Sequence, residues 1–175
     1  MSCTQTISGL AKDCSASMGG VKKVYIAPFD EGLTIAFTSG AISTFTPSGA
    51  VKFNRFNFHK GQASLTKTST IGADGSVSIA SQLVMNFRKM DATKRAEMMA
   101  LLKGEVQVIV VDNNDVAWFL GYNNPVTPVG SQNGQTGQAF TDANQYSITL
   151  QDDSAELPYS FADATVYSAA IAEVS

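Results

Sequence analysis

The chain has 175 residues, of which 44% are hydrophobic and only 15% charged, and its formal net charge is −3. That length suits one domain whose core needs no cross-links. Two cysteines and one histidine are too few for a disulfide framework or a zinc site of usual spacing, and no apolar run approaches the roughly 18 residues of a membrane-spanning helix. Residues 1–20, ending in Met18-Gly19-Gly20, read as an N-terminal arm. They show no basic segment followed by an apolar run, so the chain is expected to stay in a cytosol or leave it by a route other than general secretion. Cys3 and Cys14 both fall in this arm and are expected as free thiols. Residues 21–29 (VKKVYIAPF) predict a strand stopped by Pro28 and the Asp30-Glu31-Gly32 turn. Leu33, Ile35 and Phe37 alternate, and Ile42 and Phe45 follow a Ser39-Gly40 break, which predicts a short hairpin.

Residues 51–58 (VKFNRFNF) predict an aromatic strand. The phase shift between Phe53 and Phe56 suggests a bulge. Residues 59–75 are polar and read as a long, mobile inter-strand loop. Val77, Ile79, Leu83, Met85 and Phe87 then share odd positions, as in a strand with one wet face. Asp91 is a good N-cap for a helix to Lys103, with Ala92, Ala96, Met99 and Leu102 on one stripe flanked by Met98 and Leu101, and Gly104 at the C′ position. Residues 105–111 (EVQVIVV) and 116–122 (VAWFLGY) flank the turn Asp112-Asn113-Asn114-Asp115 and form the best hairpin of the chain. Residues 123–138 read as a long polar loop. A strand around Tyr146, Ile148 and Leu150 follows, then an acidic turn over 152–159 and a last extended segment over 161–174. About eight strands and one helix give a mainly β chain: an antiparallel β-sandwich or half-barrel, single-domain over 1–175, with one flanking helix.

Charge is divided along the chain. Up to Lys103 there are twelve basic and six acidic residues, a balance of +6; beyond it there are nine acids and no Lys or Arg, a balance of −9. Two arrangements fit: a basic and an acidic surface that meet head to tail between copies, or a fold that mixes the halves on every face. The shortage of charge suits a surface that neighbours cover, since uncharged polar groups are cheaper to desolvate.

Catalytic chemistry is not signalled. A Ser-His-Asp or Cys-His arrangement would have to use His59, and no G-x-S-x-G elbow is present. Gly130, Gly134 and Gly137 match neither a dinucleotide fingerprint nor a P-loop. The 112–115 turn lacks the downstream acid of a calcium loop. Lys52, Arg55, Lys60 and Lys67 interleave with Phe53, Phe56 and Phe58, a mixture suited to single-stranded nucleic acid, although Phe in a strand reads first as core. Trp118, Tyr122, Tyr146 and Tyr159 are the candidates for an aromatic ligand platform. The chain therefore reads as non-enzymatic, with no cofactor.

The layout resembles the tail-tube (major tail) proteins of tailed bacteriophages and the related tube proteins of contractile injection systems. The arm at 1–20, the polar stretch 59–75, the helix after Asp91 and the late strands VQVIVVDNNDVAWFLGY and ITLQDDSAELPY carry the likeness. The opening GLAKDC and GGVKKVYIA is similar to virion proteins of phages that infect Bacteroidetes. The resemblance implies a β-sandwich with one flanking helix, hexameric rings stacked into a hollow tube, and DNA passing through without specific binding. It implies other tail proteins as partners, no membrane anchor, and a place in the virion tail after synthesis in the host cytoplasm. Candidate assembly contacts are His59, Lys60, Lys67 and Asp74 in the 59–75 stretch, and Asp112, Asp115, Asp152, Asp153 and Glu156 in the acidic turns. Deleting 61–74 is expected to leave a folded subunit that cannot stack. A different ring, connector or hub subunit on the same fold and a monomeric ligand-binding β domain are the alternative readings.

Overall fold

The computed structural model describes residues 9–130 and 132–172. The strands are β1 (Val21–Pro28), β2 (Thr34–Thr38), β3 (Ala41–Thr46), β4 (Phe53–Phe56), β5 (Ala63–Ile71), β6 (Val77–Arg88), β7 (Val106–Asp112), β8 (Ala117–Leu120), β9 (Thr127–Pro128), β10 (Asn133–Gln135), β11 (Gln145–Ser154), β12 (Tyr159–Ser160) and β13 (Ile171–Ala172). The helices are α1 (Ala92–Lys103) and a single turn, α2 (Thr165–Ser168). The chain is mainly β, a sandwich with a flanking helix as expected. Its central sheet runs β12-β8-β7-β1-β4-β13, and the facing sheet runs β10-β11-β6-β5 with β9 also on β11. The β2–β3 hairpin forms a third layer.

Strand alternation builds two cores from one central sheet. Val24 and Ile26 of β1, Val108 and Val110 of β7 and Leu120 of β8 face the second sheet, where Leu83, Met85, Ile148 and Leu150 meet them. Their sequence neighbours Tyr25, Ala27, Ile109, Val111 and Phe119 face the other way, against Ile42 and Phe45 of β3, Phe161 and Tyr167. This two-sided burial makes 106–111 a continuously buried run, apolar but for Gln107, rather than an alternating one. It also accounts for the phase shift in β4. Phe53 belongs to one core and Phe56 packs on the other, and the pairing of β4 with β1 is regular from Asn54 to Phe56. The bulge expected there is absent; register shifts lie between Val21 and Lys23 and between Ala36 and Phe37.

Helix α1 begins as expected, with the Lys94 N–H donating to Asp91 Oδ1 at 2.8 Å. The packed face differs. Met98 and Leu101 are buried, whereas Met99 and Leu102 of the expected stripe are exposed. The helix is apolar nearly all round over 98–102, so its rotation is set by the short connections to β6 and β7. Gly104 caps it in an extended conformation (φ −98°), without the left-handed turn expected of it.

Four further expectations are corrected. The supposed loop 59–75 is mostly strand: β5 pairs with β6 over nine residues, from Ala63↔Met85 to Ile71↔Val77. Removing 61–74 would strip that strand from the sheet, so the deletion is expected to compromise folding. The 123–138 loop contributes β9 and β10, both paired with β11. The acids Asp152 and Asp153 lie in β11 rather than in a turn, because the inward alternation of Ile148 and Leu150 continues to Asp152. The extended segment expected over 161–174 instead holds α2 and β13 within 161–172; its end, and Cys3 with the first eight residues, lie outside the described part.

Candidate functional site

The hairpin β5–β6 has a long exposed end. From Thr68 to Ser78 every residue but Gly72 is exposed, so this end projects from the body. The tip is well ordered by its own hydrogen bonds. Gly72 N–H donates to Ser76 O at 2.8 Å and Gly75 N–H to Gly72 O at 3.0 Å. Asp74 Oδ1 accepts from the Ser76 hydroxyl at 2.7 Å and its N–H at 3.1 Å, and these bonds hold its carboxyl below the usual value. Gly75 takes φ +83°, which only glycine adopts without strain. Directly across the turn, the register pair Ile71 and Val77 stands bare, at 74% and 47% exposure. The outer edge of β5 ends its sheet.

The nine candidate contacts do not gather into one surface. His59 and Lys60 are exposed at the base of β5 and Asp74 at its tip, roughly 25 Å away along the strand. Lys67 is half-buried, with Nζ 3.2 Å from the centroid of the Trp118 ring. Burial lowers its pKa against the opposing pull of Asp112. Asp112 itself is committed to the β7–β8 turn, accepting from Asn114 N–H at 2.8 Å, Val116 N–H at 3.0 Å and Trp118 Nε1–H at 3.4 Å. Asp115 pairs with Lys22 at 2.5 Å. These two contacts join the basic and acidic halves of the chain, because β7 pairs with β1 in the central sheet and Lys67 reaches across from β5 of the facing sheet. At this corner the halves mix.

The root of the arm is tied to the same turn. Met18 N–H donates to Asn114 Oδ1 (2.8 Å), Asn114 Nδ2 to Met18 O (3.0 Å) and Asn113 Nδ2 to Gly19 O (2.6 Å). Cys14 is free and exposed. At the end of β11, Asp153 is exposed and accepts from Gln151 Nε2 at 2.7 Å, and Glu156 accepts from the Tyr159 hydroxyl. Asp152 points inward and is 4% exposed. Its Oδ2 accepts from Gly121 N–H at 3.2 Å while Oδ1 has no partner, and burial pushes its pKa up. Asp112 is thus engaged in its own turn, and Asp152 lies inside the subunit.

No family model matches this chain, and no curated protein matches it.

The aromatic candidates separate. Trp118 is covered by Lys67, and Tyr146 packs on the core between the sheets. Tyr122 and Tyr159 meet at a centroid distance of 5.6 Å and are joined by Phe37, 5.5 Å from one and 4.5 Å from the other. Their planes lie 48–90° apart, so they pack edge to face with each other and present no flat platform. Among the described residues, no group of three His, Cys, Asp or Glu side chains converges as metal ligands would, and no helix is long and apolar enough to cross a membrane. Sequence reasoning missed Ile71 and Val77. The signal was present: Asp74-Gly75 sits between two runs rich in β-formers, which marks a hairpin.

Proposed function

We propose that this chain is a structural subunit that assembles with copies of itself, and that the assembly is a hollow tube of stacked rings like those of phage tail-tube proteins. The observation that carries the reading is the outer edge of β5. It is nine residues long, whereas the other edges of the two main sheets are strands of two or three residues. A long open edge invites pairing with another chain, and folds that must stay monomeric shorten, charge or cover such edges. Over Ala63–Ile71 the only charged residue is Lys67, whose cation rests on Trp118 rather than at the edge, and there is no proline. A neighbouring copy that adds a strand there would satisfy the row of free backbone groups and close sheets around a ring.

Within this reading the rings are hexameric, the partners are further copies and other tail proteins, and DNA passes through a lumen without specific binding. The protein is made in the host cytoplasm and resides in the virion tail. The low share of charge fits a surface largely covered by neighbours.

Electron microscopy of the purified protein at high concentration, with mass photometry through a dilution series, tests the reading. Rings or hollow tubes of uniform diameter are expected, with the outward amides of β5 protected from hydrogen exchange in the assembly. A protein that stays monomeric at every concentration, with those amides unprotected, would overturn it.

A further inference from the structure

We propose that the tip of the β5–β6 hairpin in one copy inserts Ile71 and Val77 into an apolar groove on the next copy, between α1 and the β1–β4 strand pair. The inference rests on the self-assembly reading and assigns its axial contact: which surface receives the hairpin.

The groove has a volume of about 680 Å³ and is lined chiefly by Ile26, Phe56, Phe87, Met98, Leu101 and Val106. One wall is α1 between Thr93 and Leu101, and the other is β1 with residues 54–57. The size admits several aliphatic side chains. The tip offers two, paired side by side on a turn that its own hydrogen bonds hold rigid, so little ordering entropy opposes insertion.

Position favours contact between copies. Val77 opens β6 and Phe87 lies ten residues further along the same strand, so knob and groove sit about 33 Å apart. The hairpin cannot fold back into the groove of its own chain. Two different patches at opposite ends of a molecule make a heterologous contact, which repeats from copy to copy instead of closing on a dimer.

Charge points the same way. Asp74 is the only charged residue between Lys67 and Arg88, and it sits in the turn beside the Ile71–Val77 pair. The receiving end carries Arg55 and Lys94 against Glu97 and Glu105 around the groove. Residues 88–105 as a whole hold five basic and three acidic groups. The lining itself is charge-balanced and the basic excess lies in the wider 88–105 segment that carries α1, so an acidic tip approaches a net basic segment, which favours correct encounter and register.

The test is disulfide trapping in a background of Cys3→Ser and Cys14→Ser. Ala100 lines the groove and is exposed. Ile71→Cys protein mixed with Ala100→Cys protein is expected to give a covalent dimer under mild oxidation, and a chain carrying both is expected to give a ladder. A dimer yield no higher than that of Ile71→Cys mixed with Thr44→Cys, a site away from the groove, would overturn the inference. Independently, Ile71→Asp with Val77→Asp should leave the circular dichroism and thermal unfolding of the subunit unchanged. It should raise the concentration at which assemblies appear by about a hundredfold; tubes that form as readily as the wild type's would also overturn it. A 71–100 ladder without rings or tubes keeps this contact and removes the tube reading. Ordered tubes without the ladder keep the tube and remove this contact.

Discussion

Replacing Asp152 with asparagine should stabilise this protein, and more so as the pH rises. Asp152 lies on the inner face of β11, directly across from Ser81 of β6. Both are buried, and Asp152 Oδ1 and Ser81 Oγ each have no hydrogen-bond partner. Burial raises the folded pKa of Asp152 above 3.8, the neighbouring Asp153 adds to the rise, and the single bond from Gly121 opposes it. A carboxyl whose folded pKa is raised contributes stability that is fully present below the unfolded value and lost as pH rises through the folded value. Above that window the native state holds a poorly solvated carboxylate. Asparagine keeps an oxygen for Gly121 N–H and offers an amide N–H toward Ser81, with almost no change in volume. Relief of an unsatisfied buried polar group is worth about 1–3 kcal/mol, or a rise in Tm of about 2–12 °C at this chain length. Thermal unfolding of wild type and Asp152→Asn at pH 4 and pH 8 measures it. The difference should be large at pH 8 and shrink toward pH 4, since other titrating groups cancel between the two proteins. A variant destabilised at both pH values, or a difference that does not change with pH, would refute the reasoning.

Two other side chains give contrasting expectations. Asp30 is nearly buried, which pushes its pKa up, but bonds from the Ser48 hydroxyl (2.5 Å), Ser48 N–H (2.7 Å) and Gly32 N–H (2.9 Å) outweigh this and leave it lowered. Its stabilising contribution is present above pH 3.8 and lost as pH falls through the lower folded value. Asp30→Ala should therefore cost about 2–3 kcal/mol in urea unfolding at pH 7 and less at pH 3. Lys67→Ala removes both the cation over Trp118 and the aliphatic stem that covers it. A loss of about 1–2 kcal/mol is expected, with a change in Trp118 fluorescence of the folded state.

Local patterns were enough for the elements whose signal is dense. The β7–β8 hairpin was legible because 105–111 is apolar but for Glu105 and Gln107 and the 112–115 turn carries Asp and Asn where a tight turn needs them. The start of α1 was legible because Asp91 both precedes the run and accepts from Lys94, a cap that acts within four residues. The inner face of β6 was legible from the alternation of Ile79, Leu83, Met85 and Phe87 on one side.

Tertiary structure decided the rest, wherever long-range pairing overrides local preference. In β5 only Ala63 and Leu65 reach the core, so ASLTKTSTI shows no apolar period and is made a strand by its partner β6. The rotation of α1 follows from its two anchors, not from its periodicity. Asp152 is buried because β11 continues past Leu150, a consequence of ten paired positions on β6 rather than of any preference of aspartate. The division of charge along the chain does not carry over to the Lys22–Asp115 and Lys67–Asp112 corner, since β7 lies beside β1 in the central sheet and β5 of the facing sheet brings Lys67 to it. Composition, strand-forming runs and turn chemistry could be read from the chain alone, since they act over a few residues. Which edge stays open, which apolar pair stays bare and which acid is trapped inside depend on contacts between residues far apart in the chain.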